Sequence, residues 1–341
     1  MNNRLLTGLC LSALTLGAAA AHAGTLDDVK ARGALRCSAH NGSQLGFAQV
    51  SDDGKWTGFD IDMCRVLATA IFGNYEGHLE LVPISWAQRW PLLQSGELDV
   101  VIKQSGWTQS RDTELGLNMT RPYVIGTFQV LAHADLGAEH ISDLDGGTIC
   151  APAGSTNEKV MAGYAATKGL SIEVISFEKM EELITAFYEN RCDGYVSTAT
   201  ALAVARMNAD SPNDYVLLPD AMALEAQSWF VREGDDDWFD IANWSLNALW
   251  FAEQEGITSE NVDEFRSNPT SPQVAKFLGV EPGVGQRLGL SDDWAYDVIK
   301  TMGNYGEIWE RNIGMDSPFK LERGLNALWK DGGVLYPVAF D

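Results

Sequence analysis

Basic residues are scarce. The chain has 24 Lys and Arg against 47 Asp and Glu, a formal net charge of −23, and its cations never gather into a run. Such a surface repels phosphate backbones and anionic lipid, which argues against nucleic acid and membrane surfaces as partners. Histidine is rare too, five in all, and no Cys-x-x-Cys pair or Cys/His spacing suits zinc. No nucleophile–His–Asp order stands out either, so the expectation is a protein without metal, cofactor or catalytic residues. Past the N-terminus no stretch is apolar enough to span a bilayer. What is there is the composition of a folded chain: 45% hydrophobic and 10% aromatic residues, with 11 Trp.

The N-terminus reads as a secretory signal peptide over residues 1–23. Met1–Arg4 is a short basic start, Leu5–Ala20 is apolar, and Ala21-His22-Ala23 is a small-residue cleavage site, so the mature chain is expected to begin at Gly24. Cys10 lacks the small preceding residues of a lipid-anchor site. Losing Arg4 takes the net charge from −23 to −24, and the roughly 318 residues that remain exceed what one hydrophobic core usually organises. Two lobes are therefore expected. The mature chain keeps Cys37, Cys64, Cys150 and Cys192, which allow three pairings in an oxidising compartment. Cys37–Cys64 with Cys150–Cys192 is preferred, because each bridge then closes a loop within one half and leaves the halves free to move.

Strand-like and helix-like runs alternate. Ala34–Ala39, His78–Ile84, Asp99–Lys103 and Thr127–Ala132 read as strands, interleaved with helices over Asp60–Phe72 and Trp86–Ser95. A second set follows: strand Thr148–Ala151, a helix from Thr156, strand Ile172–Phe177, helix Lys179–Asn190 and strand Gly194–Ser197. This argues for an α/β fold with parallel sheets in two copies, although no repeat of fixed period is visible. The tail from Asp235 is helical and Trp-rich, and is expected to pack on the first lobe. Ligands of open α/β sheets sit at strand C-termini, often near helix N-termini. Two segments qualify, Lys103 through Arg111 and Pro152 through Glu158. In the second, Ser155 and Glu158 form a capping-box pattern whose free N–H groups suit a carboxylate.

At this point several segments resemble the periplasmic amino-acid-binding proteins of polar amino acid ABC importers (solute-binding protein family 3), and most closely the general L-amino-acid-binding type. They are Gly58-Phe59-Asp60-Ile61-Asp62, Trp86 through Asp99, Trp107-Thr108-Gln109-Ser110-Arg111-Asp112, Thr120-Arg121-Pro122-Tyr123 and Asn304 through Asn312, joined by the four cysteine positions and residues 234–240. The resemblance implies a type II periplasmic binding protein, two Rossmann-like lobes joined by a two-strand hinge. Lobe one would be 24–128 plus 222–341, with a C-terminal helical extension, and lobe two 129–221. It further implies a monomer that closes on a small ligand in the interlobe cleft and docks on the importer's permease subunits.

Residue by residue, Arg111 matches the arginine that clamps the ligand α-carboxylate, a role suited to a forked guanidinium. Ser105, Gly106 and Thr108 match contacts to the same end of the ligand, and Ser155 and Thr156 match those from lobe two. Phe59 matches a pocket-wall position, and His40 and Asn41 follow the first strand where the family places ligand contacts. Trp86 and Trp90 read as packing. One departure stands out: where the family carries the aspartate that binds the ligand α-ammonium, five residues after Asp193, this chain has Thr198, and Tyr195 through Thr200 contains no carboxylate. Either a carboxylate such as Glu225, or the His40–Gln44 loop, substitutes for it, or the ligand lacks a primary ammonium (a methylated amine, an organic acid or a sulfonic acid). A periplasmic dehydratase on the same scaffold, with Glu225 as general acid, is the enzymatic alternative.

Overall fold

The computed structural model describes residues 24–42 and 44–341; the expected signal peptide lies outside them. After α1 (Thr25–Arg32), the first lobe lays down β1 (Leu35–His40), a small hairpin of β2 (Gln49–Val50) and β3 (Trp56–Thr57), and α2 (Phe59–Phe72). Then come β4 (Leu79–Ile84), α3 (Arg89–Ser95), β5 (Val101–Gly106), α4 (Gln109–Thr113) and β6 (Leu117–Met119). The long β7 (Val124–His133) leads into the second lobe, with β8 (Thr148–Pro152), α5 (Thr156–Lys168), β9 (Glu173–Phe177), α6 (Met180–Tyr188), β10 (Gly194–Thr198), α7 (Ala199–Asn208) and β11 (Tyr215–Leu217). The chain returns through β12 (Leu224–Arg232) to α8 (Asp236–Glu255), α9 (Val262–Ser267), α10 (Pro272–Phe277), α11 (Val284–Arg287), α12 (Trp294–Met302) and α13 (Tyr305–Asn312).

Both lobes use one strand order. In lobe one β1 lies between β4, its parallel partner, and β5, which it meets through the Cys37–Val100 bridge; β12 and then β6 follow. In lobe two β8 lies between β9 and β10, followed by β7 and β11. The expectation of two copies of one unit is met in space where the sequence shows no repeat. The hinge is β7 with β12. These strands pair antiparallel from Val124↔Gln227 to Thr127↔Leu224, after which β7 joins lobe two and β12 joins lobe one. β12 carries no alternation strong enough to be read from the sequence, and its register shifts between Ser228 and Phe230.

The tail packs as expected: Trp238, Trp250, Trp294 and Trp309 are fully buried in one core with α2 and β1. Long-range burial of aromatics at this density is what holds so large a lobe together. The four cysteines form Cys37–Cys64 and Cys150–Cys192, each inside one lobe, with Cα separations of 6.0 and 5.7 Å. The first ties β1 to α2, and the second ties β8 to the turn before β10. Among the described residues no helix is long and apolar enough to cross a membrane.

Candidate functional site

The C-terminal ends of β5, β8 and β10 meet the hinge strand β12 around a narrow cavity of about 10 Å³ between the lobes. Its wall takes Trp86, Arg89 and Gln104 from lobe one and Ser155, Thr156 and Asn157 from the α5 N-terminus. Ser197 and Thr198 come from β10, and Glu225 and Gln227 from β12. A second depression of about 210 Å³ adjoins it, sharing Gln44, Met180 and Tyr195.

Arg111 sits on α4 with 8% of its surface exposed. One Nη donates to the Gly106 carbonyl, and the other donates across the cleft to the Thr156 hydroxyl at 3.1 Å. Its guanidinium lies 5.0 Å above the Trp90 ring, a face that stabilises a desolvated cation. Arg89 is a second buried guanidinium that sequence reasoning missed. It donates to the Trp86 carbonyl (2.7 Å), the Ser105 hydroxyl (2.7 Å) and, across the cleft, the Gly154 carbonyl (3.2 Å). Trp86 and Trp90 stack on it at 4.7 and 4.6 Å, so these rings do pack lobe one, but beneath charges, and Trp86 also lines the cavity. Lys103 lies behind them, 4.6 Å from the Trp86 ring, and burial with the neighbouring Arg89 charge holds its ammonium well below the ordinary value. His40 is buried beside Asp60 at 3.7 Å, where burial and the Lys103 and Arg89 charges keep it neutral at physiological pH. Gln104 has φ +36°, a left-handed turn at the end of β5 that is costly outside glycine and marks a constrained position beside the cavity.

Ser155 caps α5 as its sequence context suggests: its hydroxyl donates to the Pro152 carbonyl (2.6 Å) and accepts from Glu158 N at 3.4 Å. Glu158 reaches back to accept from Gly154 N–H at 3.0 Å, one residue beyond the Ser155 N-cap of the usual box. Thr156 and Thr198 line the cavity. Ser105 and Gly106 stand just behind the wall, supporting Arg89 and Arg111. Thr108 is the N-cap of α4, with its hydroxyl 3.4 Å from that of Ser110, and does not line the cavity. Two expectations are corrected. Phe59 is fully buried among Phe47, Tyr123, Tyr305 and Trp309, so it belongs to the lobe-one core and lines neither depression of the cleft. Asn41 lies off the cavity, its backbone N–H bound to Ile84 at 3.2 Å; Gln44, three residues on, takes the lining position.

β12 brings a carboxylate, Glu225, to the cavity wall. It is 6% exposed and is the one carboxylate among the described residues lining the cavity. Burial pushes its carboxyl up to about 7, against the pull of the Gln227 amide, which donates to it at 3.0 Å, and of Arg111 and Arg89. The expectation of a ligand without a primary ammonium stood on Tyr195 through Thr200 alone; Glu225 lines the same cavity from another strand.

With this geometry in hand, the sequence profile of the bacterial extracellular solute-binding proteins, family 3, matches residues 39–254. The chain belongs to that family. It is 42% identical over 340 residues to the general L-amino acid-binding periplasmic protein of Rhizobium johnstonii, covering 98% of both chains. To the glutamate/glutamine/aspartate/asparagine-binding protein of Rhodobacter capsulatus it is 37% identical over 332 residues, covering 97% of both. A solved periplasmic binding protein of an ABC transporter from Brucella ovis, with glutathione bound, superposes with a TM-score of 0.89 at 40% identity, over 94% of this chain and 100% of that one. The chain has the two-lobe, type II periplasmic-binding-protein fold.

Proposed function

We propose that the chain is the periplasmic solute-binding component of an ABC importer, which takes an amino acid or an amino-acid-like carboxylate into the interlobe cleft and hands it to the membrane permease. The observation that carries this reading is the buried Arg111 fork, anchored on lobe one and reaching Thr156 on lobe two beside the α5 N-terminus. A carboxylate placed there would gain a bidentate cation and the free N–H groups of a helix start. The names of the Rhizobium and Rhodobacter relatives support an amino acid, and the glutathione in the Brucella protein supports room for an amino acid carried on a longer chain. The depression beyond Met180 and Tyr195 offers such room.

The same reading takes residues 1–23 as a cleaved leader, 24–128 with 222–341 as lobe one and 129–221 as lobe two. It takes the mature chain as a monomer until it meets its permease. We assign it no catalytic role. A thermal-shift screen across the L-amino acids, glutathione, betaines and organic and sulfonic acids tests the reading, because a ligand that binds only the native state raises its melting temperature. A shift by an amino acid or by glutathione, without turnover of that compound, is the expected result. Shifts confined to compounds without an α-carboxylate would overturn it.

A further inference from the structure

Resting on that reading, we propose that Glu225 receives the primary ammonium of the ligand, replacing from the hinge strand the carboxylate that β10 lacks, and so selects zwitterions over simple carboxylic acids. Three observations place it. First, Glu225 lies directly opposite Gly126 on β7, and a Cβ built at Gly126 would come 3.4 Å from the Thr198 Cβ. Glu225 and Thr198 thus flank one glycine on neighbouring strands, and the longer side chain reaches the cavity that both line. Second, the room for that carboxylate is made by another glycine: a Cβ at Gly106 would stand 2.4 Å from Glu225 Oε1. Third, Glu225 and Arg111 both approach Thr156, Arg111 through a hydrogen bond and Glu225 through interaction with its hydroxyl, yet no ion pair joins the two among the described residues. A buried cation and a buried anion held side by side without closing on each other complement a molecule whose own opposite charges sit on one carbon. An ammonium entering such a site needs a counter-charge, and no other carboxylate lines the cavity among the described residues.

The facing groups are Arg111 and Arg89 from lobe one, the Gln227 amide from β12 and the Thr156 hydroxyl from lobe two. Against both arginines the unliganded carboxyl is still held high by burial, so an arriving ammonium should ionise it and expel a proton. The test is calorimetry with L-glutamine, L-glutamate and reduced glutathione, and with 4-carbamoylbutanoate, the deamino analogue of glutamine, on the wild type and Glu225→Gln. The variant is expected to weaken the amine-bearing ligands by about 30-fold or more and the deamino acid by less than about threefold. Titrations of the wild type near pH 6.5 in buffers of different ionisation enthalpy should show proton release with glutamine and none with the deamino acid, a readout that needs no variant. Equal weakening of both compounds, no weakening, or no difference in proton release overturns the assignment. A wild type that binds none of the L-amino acids of the thermal-shift screen and no glutathione overturns the proposed function along with it, whereas a wild type that binds them with Glu225→Gln unaffected overturns the assignment alone.

Discussion

Replacing Arg111 with alanine removes one of the two buried guanidinium forks that bind both walls of the cleft, Arg89 being the other. In the structure the two terminal nitrogens of Arg111 are committed to the Gly106 carbonyl and the Thr156 hydroxyl, and its plane rests on Trp90. The unliganded protein loses two hydrogen bonds but is also relieved of a guanidinium whose charge burial disfavours, so the net change in stability should stay within about 1–2 kcal/mol. The ligand loses far more. Truncating one side of a buried, hydrogen-bonded charge pair costs about 2–5 kcal/mol, or roughly 30-fold to a few thousand-fold in Kd. Arg111→Lys keeps the charge without the planar fork and should fall between. Calorimetry with the best ligand of the thermal-shift screen, beside urea unfolding of each variant, separates the two effects. An Arg111→Ala protein that binds within about threefold of wild type refutes the carboxylate clamp. So does a loss of binding that merely tracks a loss of cooperative unfolding.

Three further outcomes are expected. Because burial raises the Glu225 carboxyl from 4.5 to about 7, the folded chain keeps a proton that the unfolded chain releases; its contribution to stability therefore declines as pH rises from about 4.5 to about 7 and levels off above. Glu225→Gln should accordingly match the wild type near pH 5 and exceed it near pH 8 by up to about 3 kcal/mol in urea unfolding, and a pH-independent difference would contradict this. Thr198→Asp restores the family's aspartate but adds a second carboxylate to the cavity that holds Glu225, so affinity for a primary amino acid should not rise; a tenfold gain would show that Glu225 leaves the ammonium uncompensated. Peptide mapping without reduction should link Cys37 to Cys64 and Cys150 to Cys192, and replacing either pair with serine should cost about 3.5 and 4 kcal/mol respectively for loops of 27 and 42 residues, a gain in stability being the contrary result.

The fold was legible because its signals are local. Alternating apolar runs placed β1, β4, β8, β9 and α2 within a residue or two of where they lie, and the Ser155 cap announced α5. The candidate site was legible only where a motif carried it. Arg111, Thr156 and Thr198 came from family frames, and all three converge on the cleft. Glu225 could be offered only as one possible substitute for the aspartate, because it stands on a strand with no motif and far from Arg111 in the chain, and only the hinge brings them together. Arg89 was hidden inside a recognised segment, since nothing local distinguishes a buried arginine at a helix start from a solvated one; its two tryptophans, three residues before and one after, were the available signal. Phe59 shows the reverse error. It follows the Gly58 turn like a pocket residue, yet four aromatic neighbours from three other segments claim it for the core.

The position of Glu225 also bears on how ligand and closure are coupled. Residues after α13 turn back to brace the hinge: the Asn326 amide accepts from Ile125 N–H at 2.7 Å and donates to Ile125 C=O at 3.0 Å, occupying both backbone groups as a neighbouring strand would. Arg121 is fastened nearby, donating to Asn247 at 2.6 Å and to the Tyr336 carbonyl at 2.8 Å. These contacts tie β7 to lobe one up to Ile125. Gly126 comes next, the residue with the least side-chain obstruction to rotation, and Glu225 is its partner across the ladder. A ligand held by Arg111 on one lobe, Thr156 on the other and Glu225 at the pivot would therefore touch all three bodies whose relative position closure sets. Neither lobe alone offers the whole set. Ligand binding can then favour the closed arrangement by the full difference between a complete and a divided site, as a two-state clamp requires.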